Sequence, residues 1–346
     1  MRNKSYFIFL IFTIQLVFAG ATRPCGDSLP IIYSPNYNIS ILGVENFHPF
    51  DSKKYGKVYD ALISDGLLCP KQFYQPVKVS DDQLLLIHDA QYLKSLSRSD
   101  VIAQIVEISP IQYLPYFIIE SGVLNPMRFA TGGTILGVQL ALRYGWAINL
   151  SGGYHHAKSD RGEGFSVYAD VPIALKSIWK EKPSLKVLIV DLDAHQGNGN
   201  STILMDEPRV AILDMFNSSI YPYDPYAKKG VKYLIPLQMR TNTYDYLDSL
   251  KKWLPIAIEN EKPELLVYNA GTDVYMNDPL GRLSITADGI IERDGFVFDK
   301  AIENKIPILM VLSGGYHRKS GAIIAKSILA ILEKHNELKR KTAPEN

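Results

Sequence analysis

Val187-Leu188-Ile189-Val190 runs without a break into Asp191-Leu192-Asp193-Ala194-His195. An unbroken aliphatic run reads as a strand buried on both faces, as in a parallel sheet covered by helices. Three more apolar runs end in polar clusters. Residues 146–150 lead into Ser151-Gly152-Gly153-Tyr154-His155-His156, 265–268 into Asn269-Ala270-Gly271-Thr272-Asp273, and 308–312 into Ser313-Gly314-Gly315-Tyr316. Residues 210–213 are a fifth run. Helical patterns lie between: Ile324, Ile328 and Ile331 recur at i, i+4, i+7 within 320–335, and 244–261 is a second pattern, interrupted at Pro255. Strands alternating with helices predict an α/β fold, a single parallel sheet with helices on both faces. Such sheets carry their sites outside the carboxyl ends of the strands, where all four polar clusters fall.

In Asp191-x-Asp193-x-His195 an extended backbone puts alternate side chains on one side, so Asp193 and His195 can grip one ion with Asp191 just behind. Asp273, from another strand end, completes a set of two carboxylates and an imidazole. Catalytic zinc sites use three protein ligands and keep a position for water. Oxygen and imidazole ligands also admit Fe²⁺ or Co²⁺. Two carboxylates cancel the ion's charge, so a separate base is useful, and His155-His156 supplies it, with Asp191 and Asn198 as orienters. Tyr316 is a neutral hydroxyl that can donate to an oxyanion. Together these parts predict metal-assisted hydrolysis of an amide, with His156 activating water. Taken singly, each has a plainer reading: an Asp after a strand caps turns, and glycine pairs mark turns anywhere. The convergence of four clusters on one edge carries the chemistry.

The chain has 346 residues, 47% hydrophobic and 21% charged, with a formal net charge of +1. That excludes a disordered or disulfide-dense chain, and the lack of a basic block argues against direct nucleic-acid binding. Arg2 and Lys4 precede an apolar run over 6–18, then Ala19-Gly20-Ala21. This is the layout of a signal peptide over 1–21, and the run is too short for a membrane span. Cys25 and Cys69 are the only cysteines and are compatible with one disulfide or two buried thiols. Residues 38–40, 200–202 and 217–219 fit the N-glycosylation pattern. A charged flexible tail is expected over 336–346.

Several long stretches resemble the arginase/deacetylase superfamily, and within it the class IV histone deacetylases: PIIYSPNYNI near residue 30, GWAINLSGGYHHAKSDRGEGFSVYAD from Gly145, DLDAHQGNGN from Asp191, VYNAGTDVYMNDPLGRLSI from Val267 and PILMVLSGGY from Pro307. The likeness spans about Pro30 to His335, one catalytic domain over 30–335. It implies zinc on Asp193, His195 and Asp273, His156 as general base, His155 as its electrostatic partner, and Tyr316 polarising the acyl carbonyl. It also implies a structural K⁺ near Asp191 and Asp214. Gly164 and Phe165 would form the wall of an acyl-lysine tunnel, with Tyr221 or Tyr223 opposite. Asn198 and Gln196 stand where the zinc-dependent classes I and II carry Asp and His. Both suit class IV, and Asn198 should leave His156 less basic.

The implied substrate is an acyl-lysine, acetyl or long-chain, on histones or other proteins. Small acylated amines such as acetylpolyamines are the alternative within the same chemistry, and a non-catalytic acyl-binding module is a third reading. The signal-like segment points to the secretory pathway, whereas the family resemblance points to nucleus or cytoplasm.

Overall fold

The structure, a computed structural model, describes residues 29–47, 51, 53–66 and 68–342. Its centre is a parallel sheet of seven strands: β1 (Ile31–Ile32), β2 (Trp146–Asn149), β3 (Val187–Asp191), β4 (Val210–Asn217), β5 (Tyr233–Leu237), β6 (Leu265–Asn269) and β7 (Ile308–Val311). The strand order is β1-β2-β7-β6-β3-β4-β5, and every pairing is parallel. β3 and β6 are buried at every residue, which is why their sequences are continuous apolar runs rather than alternations.

The sequence pattern misses β1 and β5. β1 is only a dipeptide. β5, at the edge of the sheet, alternates buried and exposed residues and contains Pro236, which an edge strand tolerates because it need not donate on its outer side. The helix expected to be interrupted at Pro255 instead runs unbroken from Thr243 to Glu261. Its buried face, including Tyr246, Leu250, Leu254 and Ala257, holds it through the missing hydrogen bond. The last helix, Ser320–Thr342, continues into the stretch read as a tail, where Glu337, Lys339, Arg340 and Lys341 are all good helix formers. Residues 1–21, Cys25 and 343–346 lie outside the described residues.

Candidate active site

Parallel pairing sets the strand ends side by side: Asp191 is in register with Asp214 on one neighbour and Asn269 on the other. Just beyond, Asp193, His195 and Asp273 offer one ligand atom each, all within 4.8 Å of one another and all buried. Asp193 Oδ2 accepts from Ser313 Oγ at 2.9 Å and from the Gly314 N–H at 2.8 Å. Asp273 Oδ1 accepts the Ala194 N–H at 2.9 Å. The outward carboxylate oxygens face His195 Nδ1, at 3.1 Å for Asp193 and 2.8 Å for Asp273. Burial and the neighbouring Asp193 carboxylate push Asp273 up to about 7. Two dry carboxylates this close call for a cation, and the oxygen–nitrogen donor set suits a divalent one of the zinc type, so these residues fit a metal.

The adjacent histidines are shifted in opposite directions. His155 Nδ1–H donates to Asp191 Oδ2 at 2.8 Å. Burial disfavours its charge, but the Asp191 and Asp193 carboxylates outweigh that and hold it up at about 9, an imidazolium at neutral pH. His156 is pushed well below the ordinary histidine value by burial, then by the charges on His155 and His195. Its Nδ1 lies 2.7 Å from Asn198 Oδ1, which leaves Nε2 as the basic nitrogen.

Both histidines hang from a loop fixed at its start by Asp170, whose carboxylate accepts the N–H groups of Gly153 and Tyr154 at 2.9 and 2.8 Å. Across the site, the Tyr316 ring stands edge-on to His195, 6.0 Å between centroids. Burial, reinforced by Asp273, Asp193 and Asp278, raises its hydroxyl well above the usual tyrosine range, so it stays a donor.

His156, His195 and Tyr316 share a pocket of about 320 Å³ with Gly164, Phe165, Tyr221 and Tyr223. Tyr221 faces the base, 5.1 Å from the His156 ring, while Tyr223 is an exposed rim residue. Glu107, Phe165, Tyr223 and Arg282 all line this pocket with positive φ, between 52° and 61°. Left-handed backbone costs a non-glycine residue energy, and such strain gathers at functional sites.

The remaining predicted residue, Asp214, is buried with its Oδ1 lacking a hydrogen-bond partner, and burial and Asp191 raise its carboxyl well above normal. Sequence reasoning assigns no role to several supporting groups. Asn269 Nδ2 donates to Asp191 Oδ1 at 2.8 Å. Asp278 accepts the N–H of Tyr316 at 2.7 Å and of His317 at 3.1 Å. Lys54, fully buried, donates to the Ser313 and Gly314 carbonyls at 2.6 and 3.1 Å. Asn269 and Asp278 lie within stretches that carry the family resemblance; Lys54 lies 259 residues from its partner Ser313 and leaves no local signal.

The histone deacetylase domain family matches residues 48–332. Histone deacetylase 2 of Arabidopsis thaliana is 45% identical over 302 residues, covering 87% of this chain and 78% of that protein. Among solved structures, the HDA15 HD domain superposes with TM-score 0.69 at 19% identity, covering 88% of each chain. Acetylpolyamine aminohydrolase from Burkholderia pseudomallei does so with TM-score 0.68 at 16% identity, covering 87% of this chain and 98% of that one. With its parallel sheet and strand-end carboxylates and histidines, this chain belongs to the histone deacetylase family and is a hydrolase of the deacetylase type.

Proposed function

We propose that this chain removes acyl groups from the ε-amine of lysine in proteins, as a class IV member of its family. The observation that carries the reading is the His155–His156 pair, with each Nδ1 held by a different partner, Asp191 and Asn198, beside the Asp193–His195–Asp273 cluster. Asn198 and Gln196, where other zinc-dependent classes carry Asp and His, support the class. Both acetyl and longer acyl chains are proposed substrates.

A divalent cation held by Asp193, His195 and Asp273, zinc in our reading, would supply Lewis acidity toward the acyl carbonyl and the attacking water. His156 Nε2 takes the proton of that water as its oxygen bonds to the acyl carbon. The Tyr316 hydroxyl donates to the carbonyl oxygen as negative charge grows there. His156 then returns the proton to the lysine nitrogen as the C–N bond breaks, releasing a carboxylic acid and an amine, which exchange a proton to leave carboxylate and ammonium. The His155 imidazolium, balanced by Asp191, keeps its neighbour neutral and ready. Asp214, with its unpartnered Oδ1 beside Asp191, suits a structural K⁺.

The purified chain, loaded with Zn²⁺, is given one lysine peptide carrying acetyl or myristoyl and, separately, acetylpolyamine, with His156→Ala as blank. Turnover of the peptide above the blank is expected. Turnover of acetylpolyamine alone, or of nothing, overturns the reading.

We further infer passage through the secretory pathway. Cys69 is disulfide-bonded, and disulfides persist in oxidising compartments, in keeping with the signal-like layout of residues 1–21. Recovery from cells with residues 1–21 still attached would overturn this.

A further inference from the structure

We propose that Glu163 is a positioning residue that sets the tautomer of His156 through the side-chain amide of Asn198. This rests on the deacylase reading and adds to it a group that never touches the substrate.

The Asn198 amide has two different ends. Its carbonyl oxygen lies 2.7 Å from His156 Nδ1, and its amino nitrogen lies 2.5 Å from Glu163 Oε1. A carboxylate only accepts, so the amino end must face Glu163 and the oxygen must face His156. His156 Nδ1 must then carry the ring proton, and Nε2 keeps the lone pair a base needs. An amide has nearly the same shape after half a turn about its last bond. The Asp224 carboxylate also hydrogen-bonds the Asn198 side chain. Removing Glu163 takes away the 2.5 Å partner, so that the turned amide, which offers an N–H to Nδ1, gains population and with it the opposite tautomer, in which Nε2 already holds a proton. An aspartate at position 198 would need no such guide, because both its oxygens accept. Glu163 therefore compensates for an amide at this position.

The loop around Glu163 is built to hold it there. The Glu163 N–H donates to the Ser166 carbonyl at 3.2 Å, and the Ser166 N–H returns a bond to the Glu163 carbonyl at 2.9 Å. A Cβ on Gly162 would come within 2.6 Å of the Ser166 carbonyl oxygen and 2.7 Å of the Tyr92 hydroxyl, so this turn closes only with glycine. The carboxylate is also balanced: Lys158 Nζ lies 3.4 Å from Glu163 Oε1 and donates to Asp224 at 2.8 Å, and Arg161 Nε lies 3.5 Å from Glu163 Oε2.

The test compares the full chain with Glu163→Ala and with Glu163→Ala/Asn198→Asp, using zinc-loaded protein and an acyl-lysine peptide. General-base catalysis is worth about 10²–10⁴, so a scrambled tautomer should cost kcat about tenfold or more while KM stays within about twofold. The double variant should recover most of that loss. A second readout needs no turnover: ¹⁵N spectra of the protein labelled at its seven histidines, with His156 assigned from His156→Ala. The wild-type ring should carry its proton on Nδ1, and Glu163→Ala should move it toward Nε2. An unchanged His156 tautomer in Glu163→Ala, or a kcat loss that Asn198→Asp does not recover, overturns the proposal. If no form turns over any peptide, the deacylase reading fails, and the nitrogen spectra still decide the role of Glu163.

Discussion

Acid should unfasten the loop that carries His155 and His156, through a histidine remote from the metal cluster. His88 is 2% exposed and uses both ring nitrogens as a neutral imidazole. Its Nδ1–H points to the Ser159 carbonyl at 3.4 Å, and Nε2 accepts the Ala169 N–H at 3.0 Å. Ala169 immediately precedes Asp170, which holds the N–H groups of Gly153 and Tyr154. Protonating His88 would set an N–H against an N–H at Nε2.

Burial depresses the ring from 6.5 to about 4, against the backbone carbonyls of Ser159 and Lys158 and the nearby Asp89, which favour the charge. The unfolded chain therefore binds this proton more readily than the folded one. The contribution of the neutral ring is complete above about pH 6.5 and is lost as pH falls toward 4, by about 2 kcal/mol at pH 5 and about 3 kcal/mol at saturation. His88→Gln keeps an acceptor for Ala169 but cannot titrate. Urea unfolding of both proteins at about pH 7.5 and pH 5 should show the wild type losing about 2 kcal/mol more than the variant over this interval. Parallel losses in the two proteins would refute the assignment.

Tyr316→Phe should fold with an unchanged melting temperature and lose about 10²–10³ in kcat, the cost of one oxyanion donor; near-normal turnover would remove the residue from the chemistry. Gly314→Ala places a Cβ 2.5 Å from the nearest oxygens of Asp193 and Asp273, so metal content by elemental analysis should fall below one ion per chain while circular dichroism is retained. Arg293 is fully buried and donates to Asp294 and to the Gly271 carbonyl at 2.8 and 2.6 Å. Arg293→Met strands the Asp294 charge, and denaturant unfolding should show a loss of about 3–5 kcal/mol.

The parts of the fold legible in the sequence are those whose environment is uniform along the chain. Central strands buried on both faces write themselves as aliphatic runs, and a polar cluster directly after such a run marks the carboxyl edge of the sheet, so Asp193, His195, Asp273, His155, His156 and Tyr316 are all singled out as candidates by position alone. The edge strand β5 is hidden because its environment alternates and its Pro236 looks like a break. The helix through Pro255 shows packing along an entire face overriding a local veto. The supporting shell is hardest to read. Lys54, Glu163 and Asp278 act through hydrogen bonds to residues distant in sequence, and no periodicity encodes such a bond.

The alignment of Asp191, Asp214 and Asn269 across three neighbouring strands makes the sheet a ruler for the chemistry. Each residue is indexed by the same ladder of backbone hydrogen bonds, so a one-residue insertion within β3 or β6 would turn every following side chain to the opposite face and scatter the ligands together. The pocket rim has no such index: Glu107, Phe165, Tyr223 and Arg282 sit in loops between elements. Change is thus partitioned. The reacting centre is locked to the frame, while the loops carrying Glu107, Tyr223 and Arg282 can be rebuilt around it; the turn carrying Phe165 cannot, because its neighbour Glu163 holds Asn198.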